Sequence, residues 1–175
     1  QALLWYLKAA AQGNALAQLS YADIHYYGKG IDKDLQTAAV WYKRAAEQGQ
    51  ATAQNRLAWM YYNGESVSQN NETAAYWFQL SAEQENADSQ TALAMMYDEG
   101  IGVAQDAEKS IEWFRRAAQN GNSSAQYNLA FKFFTGTNTE KNYAEAVHYF
   151  RLAAESGHAR AQGMLAFMYS NGNGT

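Results

Sequence analysis

The chain has 175 residues, of which 47% are hydrophobic and 17% charged, a balance that supports a buried core and argues against disorder. Its formal net charge of −4 supplies no cationic excess for phosphates, so we expect no nucleic-acid partner. The absence of cysteine excludes disulfides and thiolate metal sites, and no apolar stretch reaches the roughly 18 residues of a membrane helix, so we expect no membrane insertion. The absence of proline favours an all-α fold.

The sequence repeats itself with a period of 36 residues. An aromatic residue marks this period in five places: Trp5, Trp41, Trp77, Trp113 and Tyr149. Counting forward from this residue, which we call position W, all five copies hold alanine at W+5 and W+17, glutamine at W+13 and glycine at W+23. Such a period is typical of stacked helical repeats. We therefore predict a single repeat array over residues 1–175, with units 5–40, 41–76, 77–112, 113–148 and an incomplete 149–175.

Each unit begins with a predicted helix that carries W, W+1, W+4 and W+5 on one stripe. Glycine at W+8 ends this helix, because a residue without a Cβ adopts the left-handed conformation of a helix C-terminus without a clash. These glycines are Gly13, Gly49, Gly121 and Gly157. Glu85 occupies the same place in the third unit, where we expect a local distortion or help from Asn86.

A second predicted helix carries W+13, W+16, W+17 and W+20 on its stripe and ends at the W+23 glycine. A polar residue seven positions before the next W is placed to cap the following helix: Asp34, Asn70, Asp106 and Asn142. The glutamine at W+13 lies on the apolar stripe, so we expect a buried amide that bonds backbone groups of a neighbouring unit. Since one helix pair cannot bury its own apolar surface, we predict a right-handed α-α superhelix, a solenoid of about five helix-turn-helix repeats.

Three segments resemble one known family. AxAQxxLAxMYxxG in 51–64, GxGVxxDxxxS in 100–110 and WYKRAAEQG in 41–49 are similar to the Sel-one-like repeat (SLR) family, relatives of the tetratricopeptide repeats. The likeness covers essentially the whole chain. Lys132, where other units have methionine, and Asn138, in place of the second loop glycine, depart from the pattern and put the regularity of the fourth unit in doubt.

The resemblance implies a non-catalytic scaffold or adaptor that holds protein partners. It also implies a bacterial protein, in the periplasm or secreted rather than in the cytoplasm. Because Gln1 enters mid-helix and no further unit covers the last predicted helix, we expect a fragment of a longer array or a C-terminal face that meets another molecule. It lends no catalytic, cofactor or metal residue. Two alternatives remain open: an enzyme of the cell-envelope or β-lactam type, and a structural spacer whose only contacts are end to end with further repeats.

The residues offer little support for catalysis. Three histidines share no repeat position and show no metal-ligand spacing: His25, His148 and His158. The segment GIGVAQD (100–106) lacks the lysine and serine or threonine that end a phosphate-binding loop, so turn formation explains it. We therefore expect neither an enzyme nor a cofactor.

Three surfaces are candidates for a partner. Cations recur at W+2 and W+3: Lys8, Lys43, Arg44, Arg115, Arg116 and Arg151. By analogy with tetratricopeptide arrays, whose first helices line the concave surface, this basic strip would bind an acidic partner; the alternative is a solvated face with helical ion pairs. Apolar residues recur at W+18, as core or, if half exposed, as a docking stripe: Trp59, Met95, Phe131 and Phe167. A C-terminal end face would offer Leu165, Phe167 and Met168.

Overall fold

The structure, a computed structural model, describes residues 1–174, and Thr175 of the last predicted unit lies outside them. Within these residues the chain forms ten helices and no strand. The helices are α1 Ala2–Ala11, α2 Ala15–Tyr27, α3 Leu35–Glu47, α4 Ala51–Asn63, α5 Asn71–Glu83, α6 Ala87–Glu99, α7 Ala107–Gln119, α8 Ser123–Thr135, α9 Tyr143–Glu155 and α10 Ala159–Ser170. The predicted all-α fold of repeated helix-turn-helix pairs is confirmed.

The chain divides into two compact units. The first comprises Gln1–Ser89 and Ile101–Val103, and the second comprises Gln90–Gly100 and the residues from Ala104 onward. Helices α1 to α5 lie in the first unit and α7 to α10 in the second, while α6 begins in the first and continues in the second.

Side-chain caps begin the helices that carry position W. The Asp34 carboxylate accepts from the Thr37 backbone N–H at 2.9 Å, and the Asn70 carbonyl oxygen accepts from the Thr73 N–H at 2.8 Å. The predicted caps at the other two positions, Asp106 and Asn142, make the same bond. Each cap satisfies a backbone donor that the helix itself leaves unpaired, so the predicted helix starts are confirmed.

Left-handed residues end the helices where the repeat predicts them. Gly28, Gly64 and Gly136 close α2, α4 and α8 with φ between 67° and 76°. Glu85 takes the glycine conformation itself, at φ 62°, so the turn after α5 forms without the distortion expected there. The Asn86 side chain accepts from the Ser89 N–H at 2.9 Å and starts α6, but Asn14 and Asn122 make the same bond beside glycine turns, so this cap is not specific help for Glu85.

The core of each repeat combines a large residue on one helix with a small residue on the facing helix. The aromatic residue at W+1 is fully buried in four copies: Tyr42, Phe78, Phe114 and Phe150. Alanine at W+17 lies in the facing helix and has no exposed surface in Ala22, Ala58, Ala94 and Ala130. The small side chain lets the two backbones approach, and the ring fills the remaining space.

The glutamine at W+13 forms a relay of side-chain amides. The Gln54 Nε2 donates to the Ala46 carbonyl at 3.1 Å, and its Oε1 accepts from the Gln84 Nε2 at 2.8 Å. Gln18 repeats the arrangement with the Ala10 carbonyl and Gln48. Each such amide therefore joins its own helix to the end of the helix before it and to the end of the helix after it. The predicted burial and the backbone bond are confirmed, but the bonded carbonyl lies in the same predicted unit, and the bond between units is made to a side chain.

The relay is interrupted once. Gln126 donates to the Ala118 carbonyl at 3.0 Å, but its Oε1 is buried without a hydrogen-bond partner. The position that supplies the donor elsewhere, W+7, holds Ser156 here, whose side chain is shorter than that of Gln48, Gln84 or Asn120. A buried acceptor without a partner costs stability, so this place is a defect in the relay.

Ser156→Gln is expected to stabilise the protein by about 0.5–1.5 kcal/mol, because a long amide at W+7 supplies the missing donor to Gln126. The free energy of unfolding from urea titration checks this. Ser156→Leu is the matched control, since it adds a side chain of similar length without a donor. Equal gains in both variants would contradict the relay.

Gln54→Leu is expected to destabilise the protein by about 1–3 kcal/mol, because it leaves the buried partner groups at Ala46 and Gln84 without their bonds. Thermal or urea unfolding followed by circular dichroism measures the change. The same substitution at Gln162, which is exposed although it also donates to a carbonyl, should cost less. A larger loss at Gln162 would contradict burial as the cause.

Acid should weaken two of the helix starts. The Thr37 backbone N–H and hydroxyl hold the pKa of Asp34 below its ordinary 3.8, and the Lys109 backbone N–H lowers the pKa of Asp106 in the same way. A lowered pKa contributes stability above the ordinary value that is lost as the pH falls through the folded-state pKa. Wild type should therefore lose stability below about pH 4 more steeply than the double variant Asp34→Asn/Asp106→Asn. Asparagine is a suitable replacement, because it already caps the equivalent positions 70 and 142 and does not titrate.

Urea midpoints of both proteins between pH 2.5 and pH 7 test this. Parallel pH profiles for the two proteins would show that these two carboxylates do not carry the acid sensitivity.

Candidate partner-binding surfaces

The predicted basic strip is built from cations that lie on the tryptophans of their own helices. The cation at W+3 is one helical turn beyond the ring at W, and Lys8, Arg44 and Arg116 lie 4.6, 4.4 and 4.3 Å from the centroids of Trp5, Trp41 and Trp113. Such cation–π contacts hold a side chain along the helix surface. These three cations therefore have ring partners within their own helices.

The other three cations of the strip also have neighbours nearby. Lys43 and Glu47 form an ion pair at 3.9 Å with both side chains more than half exposed, a contact worth only a few tenths of a kcal/mol, about 0.3 to 0.5. Arg115 lies 5.4 Å from the Phe133 ring, and the Arg151 Nη2 donates to the Tyr169 hydroxyl at 2.9 Å. The i,i+4 pair is the one expected of a solvated face, while the strip as a partner site stays a prediction.

The apolar stripe at W+18 is half exposed. Trp59 in the first unit and Met95, Phe131 and Phe167 in the second expose 36%, 44%, 42% and 49% of their surface. The interpretation of these residues as core is therefore wrong, and the condition set for a docking stripe is met. The neighbouring alanine at W+17 is buried in the helices of Trp59, Met95 and Phe131, so there the W+18 side chain stands at the border of the core.

Neighbouring rings fix the exposed side chains in place. Trp59 packs edge-on against the buried Phe78, with ring centroids 5.0 Å apart. In the second unit Phe131 stacks on Tyr127 at 6.2 Å, and Phe134 lies between Phe131 and Phe167 at 6.4 and 6.2 Å. Side chains held in this way lose little rotamer freedom when a partner covers them.

A groove of about 260 Å³ opens beside this stripe in the second unit. Helix α6 supplies Met95, Asp98 and Glu99 to its lining, and α8 supplies Asn128 and Phe131. The groove therefore combines an apolar portion with carboxylates and a side-chain amide.

A buried ion pair lies at one side of this groove. The Lys132 Nζ donates to the Asp98 Oδ1 at 2.5 Å, and the Asn138 Nδ2 donates to the same oxygen at 3.1 Å. Lys132 is only 6% exposed and stands where Met60 and Met96 are buried in other units. The fourth repeat is nevertheless regular, because α8 has the same length as α4, 13 residues, and also ends at a left-handed glycine.

Sequence reasoning missed this pair although both of its residues were visible. The partners are 34 residues apart, so they belong to neighbouring repeats and not to one helix. Two substitutions in the repeat would have revealed the pair. A lysine stands at W+19, where Met60 and Met96 stand in other repeats, and a carboxylate stands at W+21, where Tyr26 and Tyr62 stand.

The predicted C-terminal end face is corrected at one residue. Met168 has no exposed surface, because it turns toward the core side of α10. Leu165 is partly buried, and Phe167 is 49% exposed and belongs to the stripe already described. A contact through the end face therefore lacks one of its three residues.

The histidines have separate surroundings. The His158 Nδ1 accepts from the Ala161 N–H at 3.2 Å and caps α10, whereas both ring nitrogens of His25 are buried without partners. Over residues 1–174 no group of three or more histidine, cysteine, aspartate or glutamate residues is placed to hold a metal ion. In the same part of the chain, no helix has the length and apolarity to cross a bilayer.

Comparison with known proteins identifies the repeat. The Sel1 repeat family model matches residues 1–14, 15–50, 51–86, 87–122, 123–158 and 159–175. Protein sel-1 homolog 2 of Homo sapiens is 58% identical over 38 residues, which are 22% of this chain and 6% of that protein.

Two solved structures resemble nearly the whole chain. The first is a protective antigen present in uropathogenic Escherichia coli strains that displays an SLR fold; it is 36% identical with a TM-score of 0.94, over 99% of this chain and 37% of that one. A Sel1 repeat protein from Oxalobacter formigenes is 34% identical with a TM-score of 0.87, over 94% of this chain and 68% of that one. The chain thus spans little more than a third of the length of the antigen.

The family repeat keeps the predicted period but begins at a different helix. Its units start at α2, α4, α6, α8 and α10, so the helices that carry W come second in each repeat. The basic strip lies on the second helices of this register, and its role as a partner surface stays a prediction. By the same register, the W+18 stripe lies on the first helices.

Lys132→Met is expected to destabilise the protein by about 1–3 kcal/mol, because it leaves the partly buried Asp98 without its cation. Asp98→Tyr/Lys132→Met, which installs the residues of the neighbouring repeat, should recover most of this loss. Urea unfolding of both variants and wild type measures the coupling. A double variant as unstable as the single one would contradict the ion pair as the cause.

Proposed function

Because the chain belongs to the Sel1 repeat family, we propose that it is a non-catalytic scaffold that binds a segment of a partner protein. The fold of this family is typically a protein-interaction scaffold. The observation that carries the proposal is the half-exposed stripe at W+18, which repeats an aromatic residue or methionine at one position of successive helices.

The chemistry of the stripe favours a protein partner. Trp59, Met95, Phe131 and Phe167 are residue types enriched in the buried centres of protein interfaces, and truncation of such residues often costs more than 1 kcal/mol of binding. Their rings rest on other rings, so the surface is rigid before a partner arrives. A partner that covered these side chains would remove their exposed apolar surface from water, which favours binding.

The basic strip is a competing surface for the same function. Its cations would pair with the carboxylates of an acidic partner, as the sequence predicts. Two features favour the stripe over the strip: Arg44 and Arg116 already lie on tryptophan rings, and exposed ion pairs contribute little to affinity.

No observation favours the enzyme alternative. Within residues 1–174 no serine hydroxyl donates to a histidine, the arrangement that activates a serine nucleophile.

A pull-down with matched variants tests the proposal. Wild type, a stripe variant (Phe131→Ser/Phe167→Ser) and a strip variant (Arg44→Glu/Arg116→Glu) are immobilised and exposed to extract of the source cells. We expect one set of proteins to be retained by wild type and by the strip variant, and to fall at least about tenfold with the stripe variant, the loss typical of two interface anchors.

Circular dichroism of the three proteins controls for folding. Retention lost only with the strip variant would assign binding to the basic surface instead. Retention of nothing by wild type, or of the chain itself alone, would contradict the scaffold proposal and favour the spacer.

A further inference from the structure

We propose that the groove beside α6 and α8 in the second unit binds an extended segment of the partner that carries an apolar side chain and, two residues further on, lysine or arginine, because alternate side chains of an extended chain face the same side. The inference rests on the proposed scaffold function and states which chemistry one of its sites would recognise.

The apolar portion of the groove has room for one side chain. Phe114, which is 2% exposed, contributes to its lining, as do the half-exposed side chains of Met95 and Phe131. The volume of about 260 Å³ lies below the roughly 300–1,000 Å³ of pockets that enclose whole small molecules. A leucine, methionine or phenylalanine side chain entering from an open strand of polypeptide matches this space better than a cofactor does.

The Asn128 amide is placed to hold the backbone of such a segment. It lines the groove together with Phe131 and Lys132, and within the described part of the chain its side chain makes no hydrogen bond. An amide offers one donor group and one acceptor, which match the C=O and N–H that an extended residue leaves unpaired. This is the pairing by which extended peptides are held along a groove.

The carboxylates that line the groove give it a charge that favours a cation. Lys132 contributes no net charge, because its ammonium is bonded to Asp98 at 2.5 Å. Glu99 is exposed and has no ion-pair partner among the described residues, so the groove carries a net charge of about −1. An incoming carboxylate would meet repulsion here, whereas a lysine or arginine would be attracted.

The buried ion pair orients the second carboxylate toward the same place. Both described bonds to Asp98, from Lys132 and Asn138, reach its Oδ1, and about a quarter of the side chain remains exposed. The Oδ2 is therefore available to a guanidinium or ammonium group beside Glu99. Lys132 acts as a positioning residue for Asp98 and leaves contact with the ligand to the carboxylates.

The equivalent positions in the first unit lack this chemistry. There Arg56 replaces Asn128, Tyr26 replaces Asp98 and Tyr27 replaces Glu99. The same fold thus supplies an internal control, and we expect one such site in residues 1–174.

Binding of a positional peptide library to the whole 175-residue chain tests the inference. The probes are N-acetylated, C-amidated nonapeptides with random flanks and three fixed central residues. The first is leucine, phenylalanine or serine, the second is alanine, and the third is arginine, lysine, glutamine or glutamate. Immobilised wild type should retain the leucine–arginine and phenylalanine–arginine pools about tenfold more than the leucine–glutamate pool, because attraction replaces repulsion at one carboxylate. The serine–arginine pool should be retained weakly.

Three variants separate the parts of the groove. Phe131→Ser should abolish the preference for leucine over serine, and Glu99→Gln should reduce the preference for arginine over glutamine about threefold, as expected for a partly exposed charge. Asn128→Ala should weaken all pools together. Glu72→Gln, which removes an exposed carboxylate of the first unit outside the stripe, the strip and the groove, is the control and should change nothing.

Equal retention of the arginine and glutamate pools, an arginine preference unchanged in Glu99→Gln, or no retained pool would overturn the inference. If no pool binds while a partner is still captured through Phe131 and Phe167, the groove inference fails and the scaffold function stands. If wild type captures no partner, the scaffold proposal itself fails.

Discussion

One hydrogen-bonded amide per repeat sets the spacing of the helices in each unit. Gln54 bonds a carbonyl at the end of α3 with its nitrogen and accepts from the end of α5 with its oxygen. A buried amide that lacked either partner would be costly, so the ends of three successive helices are held at fixed distances from one another. Apolar packing of the alanines at W+5 and W+17 against the W+1 ring then fills a space whose dimensions are already determined.

This arrangement leaves the outer helix surfaces free to vary. Alanine at W+5 and W+17 and glutamine at W+13 recur in every repeat, while W+15, W+18, W+19, W+21 and W+22 hold different residues from repeat to repeat. Asn128, Phe131 and the pair of Asp98 with Lys132 occupy such variable positions. A constant frame with changing outer residues is how a repeat fold acquires a site of its own chemistry without a new fold.

Much of the fold follows from the sequence because its determinants are local. The cap at Asp34 and the left-handed turn at Gly64 depend on residues within a few positions, and the buried amide of Gln54 follows from its place on an apolar stripe. The exposure of Phe131 and the burial of Met168 depend on which neighbouring helix covers each residue. That information is tertiary, and one repeat period alone does not contain it. The Asp98–Lys132 pair was missed for the same reason, since its partners lie one repeat apart.

The distribution of tryptophan gives the two units different optical signatures. Four of the five tryptophans, Trp5, Trp41, Trp59 and Trp77, belong to the first unit, and Trp113 alone belongs to the second. Their surroundings range from two-thirds exposed for Trp5 to nearly buried for Trp113. Intrinsic fluorescence therefore reports mainly on the first unit, whereas circular dichroism weights all ten helices of residues 1–174 by length. Comparison of the two signals during denaturation shows directly whether the units unfold together or in sequence.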